Sequence, residues 1–127
     1  MSATAQRQTV WVMHAGALGD WVLTWPLLRS LVRTGAMVVA ITHDSKAQLA
    51  ARWIDAAPGT ITAFVGGIDQ PRFTRWWAGP SSECTRGSDA NAAAPNRIIN
   101  FLCDDSTEVG RNWLAAAEAE FPSASIE

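Results

Sequence analysis

One stretch of the sequence decides the predicted fold: TVWVMHA at residues 9–15, followed directly by GALGD at residues 16–20. The first segment is a run of β-branched and apolar residues, which predicts a strand buried on both faces of a sheet. Residues 21–34 then place apolar side chains near helical spacing, so we expect a helix there, with Gly35 as its C-terminal cap. Pro26 lies inside that helix and predicts either a kink or a loose first turn.

The alternation of short apolar runs and amphipathic stretches continues along the chain. Three further runs are predicted strands, over residues 37–43, 60–65 and 97–103. Capping residues and proline predict helices that begin at Ser45, at Asp69 or Pro71, and at Asp105. In the helix that begins at Ser45 we expect Leu49, Trp53 and Ile54 to face inward. In the helix that begins at Asp105 we expect the same of Val109, Trp113, Leu114, Ala117 and Phe121. Residues 79–96 are polar and without period, so we expect a long flexible loop.

Strands that alternate with helices in this way predict an α/β fold. We expect one Rossmann-like domain over residues 1–127, with a parallel sheet and helices on both faces. Right-handed crossovers would give the strand order 3-2-1-4. Ligands bind such sheets at the carboxyl ends of the strands, where the strand order reverses. That point is the loop at residues 14–20.

The composition is that of an ordinary soluble protein, because about half of the 127 residues are apolar and the formal charge is −2. We expect no nucleic-acid partner, since there is no basic excess. Cys84 and Cys103 form no metal-binding pattern, so we expect no metal and no other cofactor. With no leader and no membrane span predicted, we place the chain in the cytoplasm, with peripheral attachment at the inner membrane as the alternative.

The predicted loop contains two glycines and one carboxylate. Gly16 and Gly19 are expected to let the backbone turn sharply and to let a ligand approach closely. The free N–H groups at the start of the following helix favour an anion. Asp20 has two interpretations: it caps that helix, or it accepts a proton from a sugar hydroxyl.

Residues 10–34 as a whole resemble the start of a known enzyme family. The chain has GALGD at residues 16–20 and TWPLL at residues 24–28, after a short strand. This combination resembles the ADP-heptose:lipopolysaccharide heptosyltransferases, glycosyltransferase family 9. The likeness thins after Asp44, and beyond that it rests on the order of strands and helices.

The resemblance implies a metal-independent, inverting glycosyl transfer by two Rossmann-like domains that face a cleft, the glycosyltransferase-B fold. It implies that Asp20 is the general base. The resemblance further marks an acceptor- or anion-binding loop made of Gly16, Ala17, Leu18, Gly19 and Thr24. Candidate acceptor contacts are His14, Arg72 and Arg75, each of which has packing or solvent contact as its alternative role.

A complete family member needs roughly 300 residues, as two domains of typical size imply. We therefore expect this chain to be the N-terminal, acceptor-side part alone and to be inactive by itself. The expected partners are an ADP-heptose-like nucleotide sugar, a glycan or glycolipid acceptor, and either a complementary C-terminal chain or a second copy. The alternatives are a small nucleotide-binding module and a non-catalytic interaction module.

Four other residues have open roles. Asp44 follows the second strand, where an acid would bind ribose hydroxyls in a dinucleotide-binding protein. Trp76 and Trp77 are suited either to core packing or to stacking on a sugar. Asp104 ends the fourth strand and has no assigned role.

Overall fold

The computed structural model of the chain describes residues 7–54, 60–64, 67–80 and 94–127. Within these ranges five parallel strands form one sheet in the order β3-β2-β1-β4-β5. They are β1 (Thr9–Met13), β2 (Met37–Ile41), β3 (Thr60–Ala63), β4 (Arg97–Asn100) and β5 (Ser125–Ile126). The helices are α1 (Leu18–Leu23), α2 (Trp25–Arg33), α3 (Asp44–Trp53), α4 (Pro71–Thr74) and α5 (Glu108–Glu120), with 3-10 turns at Gly67–Asp69 and Arg75–Ala78.

The predicted fold class and the predicted order 3-2-1-4 are confirmed, and β5 is an addition to them. β5 has only two residues in a polar C-terminal segment, so its sequence carries no strand pattern. It is held by pairing with β4, through the register Arg97↔Ser125 and Ile98↔Ile126.

β1 lies in the centre of the sheet and is buried along its whole length. It pairs in parallel with β2 and β4, through Trp11↔Val39 and Trp11↔Ile98. Because side chains alternate along a strand, Val12 packs into one layer of the core and Trp11 into the other. Burial on both faces explains why the strand reads as a continuous apolar run.

Helices cover both faces of the sheet, as predicted. On one face α1, α2 and α3 contribute buried side chains that include Trp21, Leu28 and Ala47. The other face carries an aromatic layer, to which α4, the second 3-10 turn and α5 contribute together with the residue after β3. Four of its members meet edge to face: Phe64, Phe73, Trp76 and Trp113. Trp76 is therefore a core residue, which resolves one of the open roles.

The single helix predicted over residues 21–34 is two helices, α1 and α2, which meet at Thr24. Pro26 has no N–H to donate to the carbonyl four residues earlier, so the helical hydrogen-bond ladder breaks there. At the junction of the two helices the Thr24 hydroxyl donates to the Trp21 carbonyl at 2.6 Å. Gly35 has φ +91° and ends α2, as predicted.

Two predicted capping boxes are wrong. α3 begins one residue before Ser45, with His43 at its N-cap position. α5 is capped by Thr107, whose side-chain oxygen accepts from the Gly110 N–H at 3.0 Å, and not by Asp105. In both segments several polar residues adjoin, and local spacing alone does not decide which of them caps the helix.

Some element ends and side-chain orientations also differ from the prediction. The strands end earlier than expected, at Met13, Ile41 and Asn100. Trp53 and Val109, which we expected to face inward, are 64% and 51% exposed. Pro71 does open the short α4, after Gln70 at the N-cap position.

Most of the predicted flexible loop, residues 81–93, lies outside the described residues, as does Val65 at the end of the third predicted strand. In the parts of the chain that the structure describes, no helix has the length and apolar character needed to cross a membrane.

Candidate functional site

The loop at residues 14–20 lies at the carboxyl end of β1, between the ends of β2 and β4. The His14 N–H donates to the Ile41 carbonyl at 3.0 Å, and the Phe101 N–H donates to the Met13 carbonyl at 2.9 Å. The crossover from β1 runs to β2 on one side, whereas β4 on the other side is reached from β3. The loop therefore occupies the point where the strand order reverses, the usual ligand position in this class of sheet.

His14 is a buried histidine, 6% exposed, whose ring packs near those of Trp21 and Phe101, with centroids 5.5 and 5.9 Å away. The Gly16 N–H donates to its Nδ1 at 3.0 Å. Nδ1 is thus an acceptor, and in the neutral ring the proton lies on Nε2. Burial lowers the pKa of His14, the Asp20 carboxylate opposes that shift, and the Lys46 ammonium adds to it.

Gly16 is required by the His14 ring. A Cβ at position 16 would lie 2.7 Å from His14 Cε1. Neither Gly16 nor Gly19 has a positive φ, since among the described glycines only Gly35, Gly67 and Gly79 do. The chain does bend at Gly16, between β1 and α1, and it does so without a positive φ. Gly19 has open space where its side chain would be.

Asp20 is exposed in the first turn of α1 and does not cap the helix. The N-cap position belongs to Ala17, whose carbonyl accepts from the Trp21 N–H at 3.0 Å. Asp20 and His14 lie on the same side of Gly16. A Cβ built on Gly16 would be 3.4 Å from Asp20 Cβ and 2.7 Å from His14 Cε1. In the described part of the chain no donor binds the Asp20 carboxylate, so this group can accept a proton or a hydrogen bond from a ligand.

Lys46, the only lysine of the chain, joins α3 to this loop. Its ammonium group donates to the Gly16 carbonyl, and its own carbonyl accepts from Trp21 Nε1 at 2.8 Å. We define these two hydrogen bonds as the Lys46 clamp. Sequence reasoning missed Lys46, because the contact spans thirty residues and no local spacing indicates it.

The other residues predicted for the acceptor-binding loop have different environments. Ala17 and Leu18 are exposed beside Asp20. Thr24 is buried, and its hydroxyl binds the Trp21 carbonyl at the break between α1 and α2. That hydroxyl therefore stabilises the helix junction.

Arg72 and Arg75 are not brought together at the loop. Arg72 Nη2 donates to Glu120 Oε2 at 2.6 Å, and both side chains are mostly buried, at 15% and 8% exposed. The Arg72 guanidinium also lies 5.4 Å from the centre of the Trp11 ring. Arg75 is exposed, and its Nε donates to the Pro71 carbonyl at 3.2 Å. A role for either residue in acceptor binding stays a prediction, and for Arg72 it would require the buried ion pair to open.

A groove of about 640 Å³ lies beside the loop, at the carboxyl end of β4. We call it the β4 groove, and its lining residues are Trp77, Asn100, Phe101, Leu102, Cys103, Asp104, Thr107 and Val109. Phe101 connects the groove to the loop, since its ring also contacts that of His14. Sequence reasoning did not assemble this groove, although it noted Trp77 and Asp104 separately.

The described residues contain no group of three or more His, Cys, Asp or Glu side chains that could hold a metal ion. Cys103 is a free cysteine, and burial raises the pKa of its thiol. Cys84 lies outside the described residues.

Comparison with protein-family models, with curated proteins and with solved structures found no match. The function must therefore be argued from the site itself.

Proposed function

We propose that this chain is the acceptor-side half of a heptosyltransferase-like glycosyltransferase, with Asp20 as general base. The observation that carries the proposal is the exposed Asp20 carboxylate, which no other described group engages, at the point where the strand order reverses. The resemblance of residues 16–28 to the first loop and helix of that family supports it. The donor would be an ADP-heptose-like nucleotide sugar, and the acceptor a glycan or a glycolipid such as lipopolysaccharide.

In the proposed reaction an acceptor hydroxyl binds Asp20. The carboxylate takes the hydroxyl proton while the acceptor oxygen forms a bond to the anomeric carbon. The bond from that carbon to the nucleotide diphosphate breaks on the opposite face, and the diphosphate leaves with the electron pair, so the configuration inverts. Neutral His14, with its proton on Nε2, would donate a hydrogen bond to a neighbouring acceptor oxygen.

The proposal extends to partners and location. A complementary donor-side domain, in the same or another chain, would close the cleft over the loop, because transfer needs base, acceptor and donor in one geometry. Self-association is the alternative way to cover that surface. A glycolipid acceptor would place the reaction at the cytoplasmic side of the inner membrane.

The nucleotide-binding alternative has less support from the loop. A dinucleotide site needs glycine where the backbone meets the pyrophosphate, and at Gly16 the space beside the α-carbon is filled by the His14 ring. No described contact favours a non-catalytic interaction module over the transferase.

The test is a transfer assay in which the chain is mixed with the separately produced donor-side domain of a heptosyltransferase, an ADP-sugar and an acceptor glycan. Asp20→Asn should lower the rate by about 10²- to 10⁴-fold, the usual contribution of a general base. Asp44→Asn is the matched control, because Asp44 is also exposed at the start of a helix. Transfer that survives Asp20→Asn would refute the base assignment, and absence of both transfer and acceptor binding would refute the proposal.

A further inference from the structure

The wall of the β4 groove formed by the loop after β4 is fixed by hydrogen bonds of Asn100 and by close packing of α5. The Asn100 side chain donates to the Cys103 carbonyl at 2.9 Å and accepts from the Leu102 N–H at 2.8 Å. A Cβ at Gly110 would collide with the Asp104 carbonyl, so only glycine lets α5 approach this loop so closely. A site preorganised in this way loses little conformational freedom when a ligand binds.

The lining of the groove combines apolar surface with an exposed carboxylate. Trp77 is half-buried, while Phe101 and Val109 are 47% and 51% exposed. Asp104 Oδ1 accepts from the Ser106 N–H at 2.9 Å and from the Ser106 hydroxyl, and the Asp104 side chain is exposed. These bonds lower the pKa of Asp104, so its carboxylate stays ionised.

The charge of the lining selects among ligand classes. Asp104 supplies a negative charge, and none of the described residues that line the groove is cationic. The Thr107 oxygen accepts from the Gly110 N–H, so the Thr107 O–H is left to donate. Such a surface suits a ring that carries hydroxyl groups, and it disfavours phosphate or carboxylate. The volume lies within the range of small-molecule sites.

We propose that the β4 groove is a subsite for a neutral sugar ring, which packs on Trp77 and Phe101 and donates a hydroxyl hydrogen bond to Asp104. This inference rests on the proposed function and deepens it. Because Phe101 contacts both the groove and His14, a sugar in the groove would lie next to the loop that carries Asp20. The groove would thus hold the acceptor ring beside the one whose hydroxyl reacts.

The experiment is an NMR titration of the intact chain with methyl α-D-mannopyranoside and methyl α-D-glucopyranoside, followed through the Trp77 indole N–H and the amides of residues 101–104. Methyl α-D-glucuronoside and adenosine serve as the anionic and the nucleoside probes. We expect saturable shifts in these signals with a neutral glycoside, and weaker or no binding of the two comparison probes.

Asp104→Asn should weaken glycoside binding by about fivefold or more, because it removes the charge and replaces one of the two acceptor oxygens with a donor. Asp105→Asn is the matched control and should leave binding unchanged. Val109→Phe, at an exposed position, should narrow the groove and also weaken binding. Absence of saturable shifts, equal binding by the Asp104 and Asp105 variants, or tighter binding of adenosine would each overturn the proposal.

Asp20→Asn distinguishes this inference from the proposed function. The variant should lose transfer and still bind the glycoside in the groove. Groove binding together with transfer that survives Asp20→Asn would refute the base assignment alone. Loss of transfer in that variant without any groove binding would refute the subsite alone.

Discussion

Gly16 and Gly19 stand three residues apart in the same loop, and the structure predicts opposite effects of replacing each with alanine. At Gly16 the new Cβ would lie 2.7 Å from His14 Cε1. The imidazole has little freedom to move, because it packs near Trp21 and Phe101 and accepts the Gly16 N–H. Crowding a packed interior costs about 1–3 kcal/mol, and a weakened hydrogen bond adds about 1 kcal/mol.

Part of that cost is offset, because alanine restricts the unfolded chain and so favours folding by about 0.4–1 kcal/mol. We therefore expect Gly16→Ala to lower the free energy of unfolding by about 1–3 kcal/mol. Gly19 lies inside α1 with open space around it, so Gly19→Ala should raise the free energy of unfolding by about 0.5–1 kcal/mol.

The assay is urea unfolding of both variants and the parent chain, followed by tryptophan fluorescence and compared at constant m-value. The seven tryptophans include buried Trp11, Trp21 and Trp113, so the signal reports on both core layers. Equal stability of the two variants would refute the reasoning, because it would mean that the His14 ring does not occupy the space beside Gly16.

Three further predictions concern charged or titrating groups. Glu120→Ala should destabilise the fold by about 3–5 kcal/mol in urea unfolding, since it removes the carboxylate that pairs with the mostly buried Arg72 guanidinium. It should cost more than the Arg72→Met/Glu120→Leu double change, which removes both charges. The pKa of His14 is lowered in the folded chain, so as the pH falls the unfolded chain takes up the proton first. The free energy of unfolding should therefore decrease as the pH drops from above the unfolded pKa of about 6.5 towards the folded pKa. His14→Gln should flatten this dependence of the free energy of unfolding on pH. Lys46→Met should raise the pKa of His14, and Asp20→Asn should lower it, in an NMR titration of the imidazole; shifts in the other direction would contradict the placement of these charges around His14.

The strand order was predictable from the sequence because each buried strand forms an apolar run and crossovers have a fixed hand. The position of the loop followed from that order. What could not be predicted depends on contacts between distant segments. Nothing in the spacing around Gly16 indicates that His14 fills its side-chain space, or that the ammonium of Lys46 binds its carbonyl.

In the candidate site, too, the features set by neighbouring residues were predictable, and those set by contacts between distant segments were not. His14 was identified from its place at the end of the first strand and Asp20 from the loop motif that follows, and both side chains lie near Gly16. Arg72, a candidate acceptor contact, is paired with Glu120, forty-eight residues away, and nothing in the local sequence indicates that pairing. The β4 groove depends on Gly110, whose missing side chain matters only once α5 packs against the loop after β4.

The Lys46 clamp makes the loop depend on a helix that lies outside the motif. The loop is anchored by a helix that follows the second strand, so its conformation depends on α3 as well as on β1. A peptide of residues 9–34 contains the whole motif and should still lack a fixed loop. Grafting residues 14–28 onto another parallel sheet should reproduce the site only if the recipient supplies a lysine in the first turn of its next helix.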